Sequence, residues 1–168
     1  MNLTTRFLTR SAMMIALAVS IQALNLQQAI TGPVINAVLL TSVDLINPLS
    51  GLIIGIITPW TAFVTGTMKV PVLLPVIMAG NATIVLVYAA ARRLNRVAGG
   101  LGGAVAKWLV MLGGVKLLLA NSVPLKPPVI YAMTTYQLFT AFGGVALALA
   151  VVKVLEVFNR SREPGRQI

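Results

Sequence analysis

The stretch VPVLLPVIMAGNATIVLVYAAA, Val70 to Ala91, contains no charged side chain. At about 1.5 Å per residue a helix of this length covers the roughly 30 Å of a bilayer's hydrocarbon. Pro71 and Pro75 stand at its beginning, where a helix tolerates them, and the cluster RRLNR, Arg92 to Arg96, ends it. A second uncharged run, Pro127 to Val152, is longer still. Over the 168 residues, 58% are hydrophobic and 10% charged, with a mean hydropathy of +0.93. Soluble domains carry about 25% charged residues. The composition therefore predicts a polytopic, all-α integral membrane bundle.

What the chain lacks limits its chemistry. It has no cysteine and no histidine, and its acids are Asp44, Glu156 and Glu163. That excludes disulfides and thiolate metal sites, and it leaves nothing for a Ser-His-Asp arrangement. No enzyme activity, metal or cofactor is expected. No Gly-Lys-Ser/Thr phosphate loop occurs, so the chain carries no ATPase of its own. The net charge of +10 would point to nucleic acid in a soluble protein. In a membrane protein, positive-inside loops and anionic headgroups account for it, and no nucleic-acid partner is expected. Arg6 and Arg10 before an apolar run, with Ala16-Leu17-Ala18 as a small-x-small site, also fit a cleaved leader. Cleavage there leaves a short apolar region, and the spans count better if the first helix stays.

Breaks at Pro, Gly, Asn and charge clusters divide the chain into about six spans. They run near 7–24, 34–46, 49–66, 72–91, 98–119 and 129–158. The links between them are NLQQAITGP (Asn25 to Pro33), the Asn47-Pro48 turn, TMKVP, RRLNR and NSVPLKPP. With both termini cytoplasmic, Arg6, Arg10, Arg92, Arg93, Arg96, Lys153, Arg160, Arg162 and Arg166 lie inside. Only Lys69 and Lys126 then fall in outer links, an asymmetry that fixes the orientation. Residues 1–168 form one domain in the cell membrane, with 159–168 as a basic cytoplasmic tail.

Several residues stand out within these spans. In RSAMMIALAVS, Arg10 to Ser20, the small residues Ala12, Ala16 and Ser20 share one helical face, for packing inside the bundle or against another subunit. Asp44 is the one acid at membrane depth, and an ion pair with Lys107 is expected. Lys116 lies nine residues beyond Lys107, half a turn around the helix. With no acid at its level, it either snorkels to headgroups or faces an anionic ligand. Asn81, mid-span, requires a partner on a neighbouring helix or a polar pocket. Gln27, Gln28, Trp60, Tyr131, Tyr136 and Gln137 could converge on such a pocket, although Trp and Tyr also occur simply as interface residues.

AMMIA (Ala12 to Ala16), ITGPVINAVLL (Ile30 to Leu40) and GLIIGIITPW (Gly51 to Trp60), in a chain of this size and span count, resemble the S components of energy-coupling factor (ECF) transporters. These are the substrate-capturing membrane subunits of vitamin importers. The resemblance implies a pocket on the outer side, roofed by the link between helices one and two. It also implies docking through helix one onto a transmembrane scaffold subunit driven by two cytoplasmic ATPases, with the S component toppling to release its cargo. On that basis Ala12 and Ala16 become docking residues, and Gln27, Gln28 and Thr31 become lid residues. Asn81, Lys116 and Gln137 become pocket residues, with Trp60 and Tyr131 beside them. Lys116, Lys69 and Lys126, with no outer acid, favour an anionic micronutrient. The competing reading is a non-transporting membrane assembly or scaffold protein, which would have no pocket.

Overall fold

The computed structural model describes residues 3–162. Glu163, Arg166 and the rest of the tail beyond Arg162 lie outside the described residues. All described regular structure is helical: α1 Leu3–Ala23, α2 Gln28–Leu45, α3 Pro48–Val64, α4 Leu74–Ala91, α5 Arg96–Ala120, α6 Pro127–Met133 and α7 Thr135–Arg162. A 3-10 turn, Pro71–Leu73, leads into α4. Four segments, Gln28–Leu45, Pro71–Ala91, Arg96–Ala120 and Pro127–Asn159, are long and apolar enough to cross a membrane. By the same measure α3 is apolar but shorter, at 17 residues. The apolar run of α1 is diluted by Thr4, Thr5, Arg6, Thr9 and Arg10.

Local chemistry sets most boundaries. Asn47 caps α3, its Oδ1 accepting from the Ser50 N–H at 3.0 Å, with Pro48 as the first helical residue. Asn95 caps α5 in the same way, accepting from Ala98 N–H at 3.0 Å. Such caps satisfy amide protons that have no partner within the helix. Two boundaries differ from the sequence expectation. The link expected over Asn25 to Pro33 is mostly helix, because α2 begins at Gln28 and takes Pro33 into its interior. Pro33 costs one backbone bond, to the Ala29 carbonyl, whereas an unwound segment packed among apolar helices would leave several groups unpaired. The final span is interrupted at Thr134, whose hydroxyl donates to the Ile130 carbonyl at 2.7 Å. Back-bonding of this kind bends helices, and a second β-branched residue, Thr135, follows directly.

The central element is α2, with ten of its 18 residues buried. It packs on α1, α3, α4 and α7, while α4 pairs closely with α5, and α5 in turn meets α7. Leu39, Leu40, Val43, Ile84, Val85 and Tyr88 form a fully buried core between α2 and α4. Small residues allow the tightest crossings. A Cβ on Gly144 of α7 would collide with Asn36 Cβ and stand 2.8 Å from the Pro33 carbonyl oxygen of α2. On α3, a Cβ on Gly55 would lie 3.1 Å from Asn81 Cβ of α4. Both glycines bring a backbone against an asparagine of the neighbouring helix, Asn36 and Asn81 respectively.

The two ends of the bundle differ. At one end, here called the arginine end, Asp44 accepts from Tyr88 Oη at 2.6 Å and from Arg92 Nη1 at 2.7 Å. Arg92 Nη1 also donates to the Val43 carbonyl at 2.6 Å. Arg96 lies 3.9 Å from Asp44 and pairs with Glu156 of α7 at 2.6 Å. The expected Asp44–Lys107 pair is therefore corrected. Asp44 is the penultimate residue of α2 and meets the cluster that ends α4. Lys107 lies eleven residues into α5 from Arg96, about 16 Å deeper at 1.5 Å per residue.

Candidate binding cavity

Away from the arginine end, the bundle holds a cavity of about 410 Å³. Its mouth is formed by the α1–α2 link, the α3–α4 link and α6, represented by Leu26, Thr67, Met68 and Met133. Its walls come from Gln22 of α1, Thr31 and Ile35 of α2, Thr58 and Ala62 of α3, and Gln137 of α7. Its floor is Asn36, Asn81 and Lys107. A volume of this size is within the usual range for small-molecule sites.

The floor can be built from one proline. In an α-helix each carbonyl accepts from the N–H four residues on, so the Gly55 carbonyl would take the amide proton of residue 59. Residue 59 is Pro59 and has no N–H. Asn81 fills that place from α4: its Nδ2 donates to Gly55 O at 3.0 Å and reaches Thr58 Oγ1 at 3.4 Å. The close approach at Gly55 makes this reach possible. With its NH2 committed there, Asn81 presents Oδ1 inward, where Lys107 Nζ donates to it at 2.8 Å. Asn36 repeats the arrangement from α2. Its Nδ2 donates to Gly32 O at 3.0 Å, and its Oδ1 accepts from Lys107 Nζ at 2.7 Å. An ammonium only donates, so both amide orientations are fixed by the network.

Lys107 is 3% exposed. Of the residues lining the cavity it alone ionises, and no described carboxylate lies within ion-pair distance of it. Seven amides also line the space, among apolar residues and threonines: Gln22, Asn25, Gln27, Gln28, Asn36, Asn81 and Gln137. Gln22 Nε2 donates to the Thr58 carbonyl at 3.2 Å, tying α1 to α3. Gln28 Nε2 donates to the Ala132 carbonyl at 3.2 Å, tying the start of α2 to α6. Glutamines lining the cavity thus bridge neighbouring helices.

Gln27, Gln28, Thr31, Asn81 and Gln137 all fall on this cavity. Lys116, Trp60 and Tyr131 do not. Trp60 and Tyr131 are 51% and 56% exposed on the outside of the bundle, and Lys116 is exposed on the outer face of α5. The half-turn between Lys107 and Lys116 allows only one lysine inside, and the structure turns Lys107 inward. Lys69 and Lys126 also lie off the cavity lining. The small-residue stripe of α1 faces away from the bundle: Ala12, Ala16 and Ser20 are exposed, while Ser11, Ala18 and Gln22 are buried. Asn36 and Gln22 were not singled out from the sequence. Both are amides inside apolar runs, the same signal that marks Asn81.

Comparison with family models, with curated proteins and with solved structures returned no match.

Proposed function

We propose that this chain is a membrane capture subunit of the S-component type. It takes a small micronutrient from outside the cell and passes it inward through a separate scaffold subunit powered by two cytoplasmic ATPases. The observation that carries this reading is the amide-lined cavity with Lys107 at its floor. An assembly protein has no use for a polar chamber reaching mid-bundle, because each buried amide must be kept satisfied. In this reading α1, α2, α3, α4, α5 and the α6–α7 pair are the six spans. The arginine end is cytoplasmic by the positive-inside rule, which puts both termini inside and the cavity mouth outside. The outward-facing Ala12 and Ala16 give the scaffold subunit a flat surface for close helix packing.

Purification of the full chain from cells, followed by mass spectrometry of co-purified small molecules, tests capture. One retained species in near-stoichiometric amount is expected, and a chain that retains nothing, even when offered a metabolite extract, is not a capture subunit. Docking has its own test, with Ala12→Trp and Ala16→Trp expressed beside the scaffold and ATPases. Overpacking a close contact costs about 1–3 kcal/mol, and each 1.4 kcal/mol is tenfold, so uptake is expected to fall about tenfold or more. Retention by the purified subunit is expected to persist, since both side chains face away from the cavity. Loss of retention together with uptake would assign the stripe to the bundle's own packing.

A further inference from the structure

We infer that Lys107 is the anchor of a monoanion subsite: the cavity takes a ligand bearing one carboxylate, seated at mid-bundle against the Lys107 ammonium. This rests on the capture reading above and specifies its substrate class. An ammonium carries three N–H donors. Two go to Asn36 Oδ1 and Asn81 Oδ1 at 2.7 and 2.8 Å, and both acceptors are held in place by backbone carbonyls behind them. Neutral amide oxygens hydrogen-bond an ammonium but do not neutralise it. A charge buried to 3% exposure without a counter-ion is costly, and the described acids are committed to Arg92 and Arg96 at the other end. The remaining donor and the missing negative charge therefore belong to whatever occupies the cavity.

Charge and shape narrow the class. Among the described residues Lys107 is the single cation on the lining, so one negative charge balances the site and a phosphate dianion would be left half-compensated. From Asn36 to Gln28 is eight residues along α2, about 12 Å at 1.5 Å per residue. The ligand is accordingly elongated, with its acid at the floor and a neutral polar end under Gln27 and Gln28. Among the described residues no aromatic ring lines the space, so recognition rests on amide hydrogen bonds and apolar contact from Ile35, Ile77 and Met133 rather than on ring stacking.

The test offers a whole soluble metabolite extract to immobilised full-length chain in detergent and identifies what is retained by mass spectrometry. Wild type, Lys107→Gln and Lys107→Met are run in parallel, each with a thermal unfolding curve in the absence of added extract. Wild type is expected to retain a monocarboxylic acid. Both variants are expected to retain it about 100-fold less, as when one partner of a buried charge pair is truncated. Lys107→Gln is also expected to unfold at or above the wild-type temperature, because it removes an uncompensated buried charge. Lys107→Gln still donates to an asparagine oxygen, which keeps a folded variant available if Lys107→Met is lost. Equal retention by wild type and Lys107→Gln, or a retained species that is neutral, cationic or dianionic, overturns the subsite and leaves capture standing. Unfolding of both variants well below wild type also overturns it, making Lys107 a structural crosslink. No retention by wild type overturns capture itself.

Discussion

Gly144→Ala is expected to lower the stability of the bundle by about 3 kcal/mol, the upper end of overpacking costs, and Gly144→Val to prevent its assembly. The added methyl of alanine would meet three obstacles on α2: Asn36 Cβ, the Pro33 carbonyl oxygen at 2.8 Å and Ala37 N at 3.2 Å. Two of these are backbone atoms, so no rotamer change relieves the contact. The only relief is to move α7 away from α2, the most buried helix of the fold, and interiors at crystal-like density do not accommodate such shifts cheaply. Gly113→Ala is the control, since a Cβ there meets nothing within 4 Å. Thermal unfolding in one detergent, compared across the three variants and wild type, checks the ranking. A Gly144→Ala protein melting within a degree of wild type would mean that the α2–α7 crossing is not tight.

Asp44→Ala is expected to cost about 3 kcal/mol, the low end of what breaking a buried ion pair costs. The carboxylate is 3% exposed and gathers Tyr88 Oη and Arg92 Nη1 at 2.6 and 2.7 Å. Its removal strands the Tyr88 hydroxyl and leaves Arg92 with the Val43 carbonyl alone. Arg92 is 23% exposed at its side chain and can turn to water, which holds the loss to the low end. Arg92→Ala on top of Asp44→Ala is expected to add little, because the two share one interaction. Lys107→Met combined with Asp44→Ala should instead be additive within about 0.5 kcal/mol, as for sites with no shared partner. Chemical denaturation of the single and double variants gives both coupling energies. Strong coupling between Asp44 and Lys107 would restore the pair expected from the sequence.

The sequence made some of this architecture legible and hid the rest for a physical reason. Uncharged runs such as Val70 to Ala91 announce apolar helices, and polar residues inside such runs stand out because lipid makes them costly. Asn81 could be singled out on that ground, Gln27, Gln28 and Gln137 as polar residues at one end of the spans, and Thr31 through the family resemblance; the structure sets all five around one cavity. Helix rotation could not be read. In a soluble bundle the period of the apolar stripe identifies the inward face. Here the outer and the core-facing sides of the helices are both apolar, so nothing separated Lys107 from Lys116 or turned Trp60 and Tyr131 outward. Depth was equally hard to judge: Asp44 and Lys107 seemed level only because span ends were uncertain, and that error produced the wrong ion pair. Pro33 misled in a different way, by marking a break where one lost hydrogen bond was cheaper than an unwound segment.

Pro59 gives the floor of the cavity a setting that its own side chains do not encode. By withholding one amide proton from Gly55 O, it binds the NH2 of Asn81 and turns that residue's oxygen toward the chamber. A relative with an ordinary residue at position 59 would close its own helix bond and release the Asn81 amide to rotate. Lys107, which only donates, would then be the one group left holding the Asn81 oxygen toward the chamber. The rigidity of the floor thus depends on a backbone feature of α3 as much as on Asn36, Asn81 and Lys107 themselves.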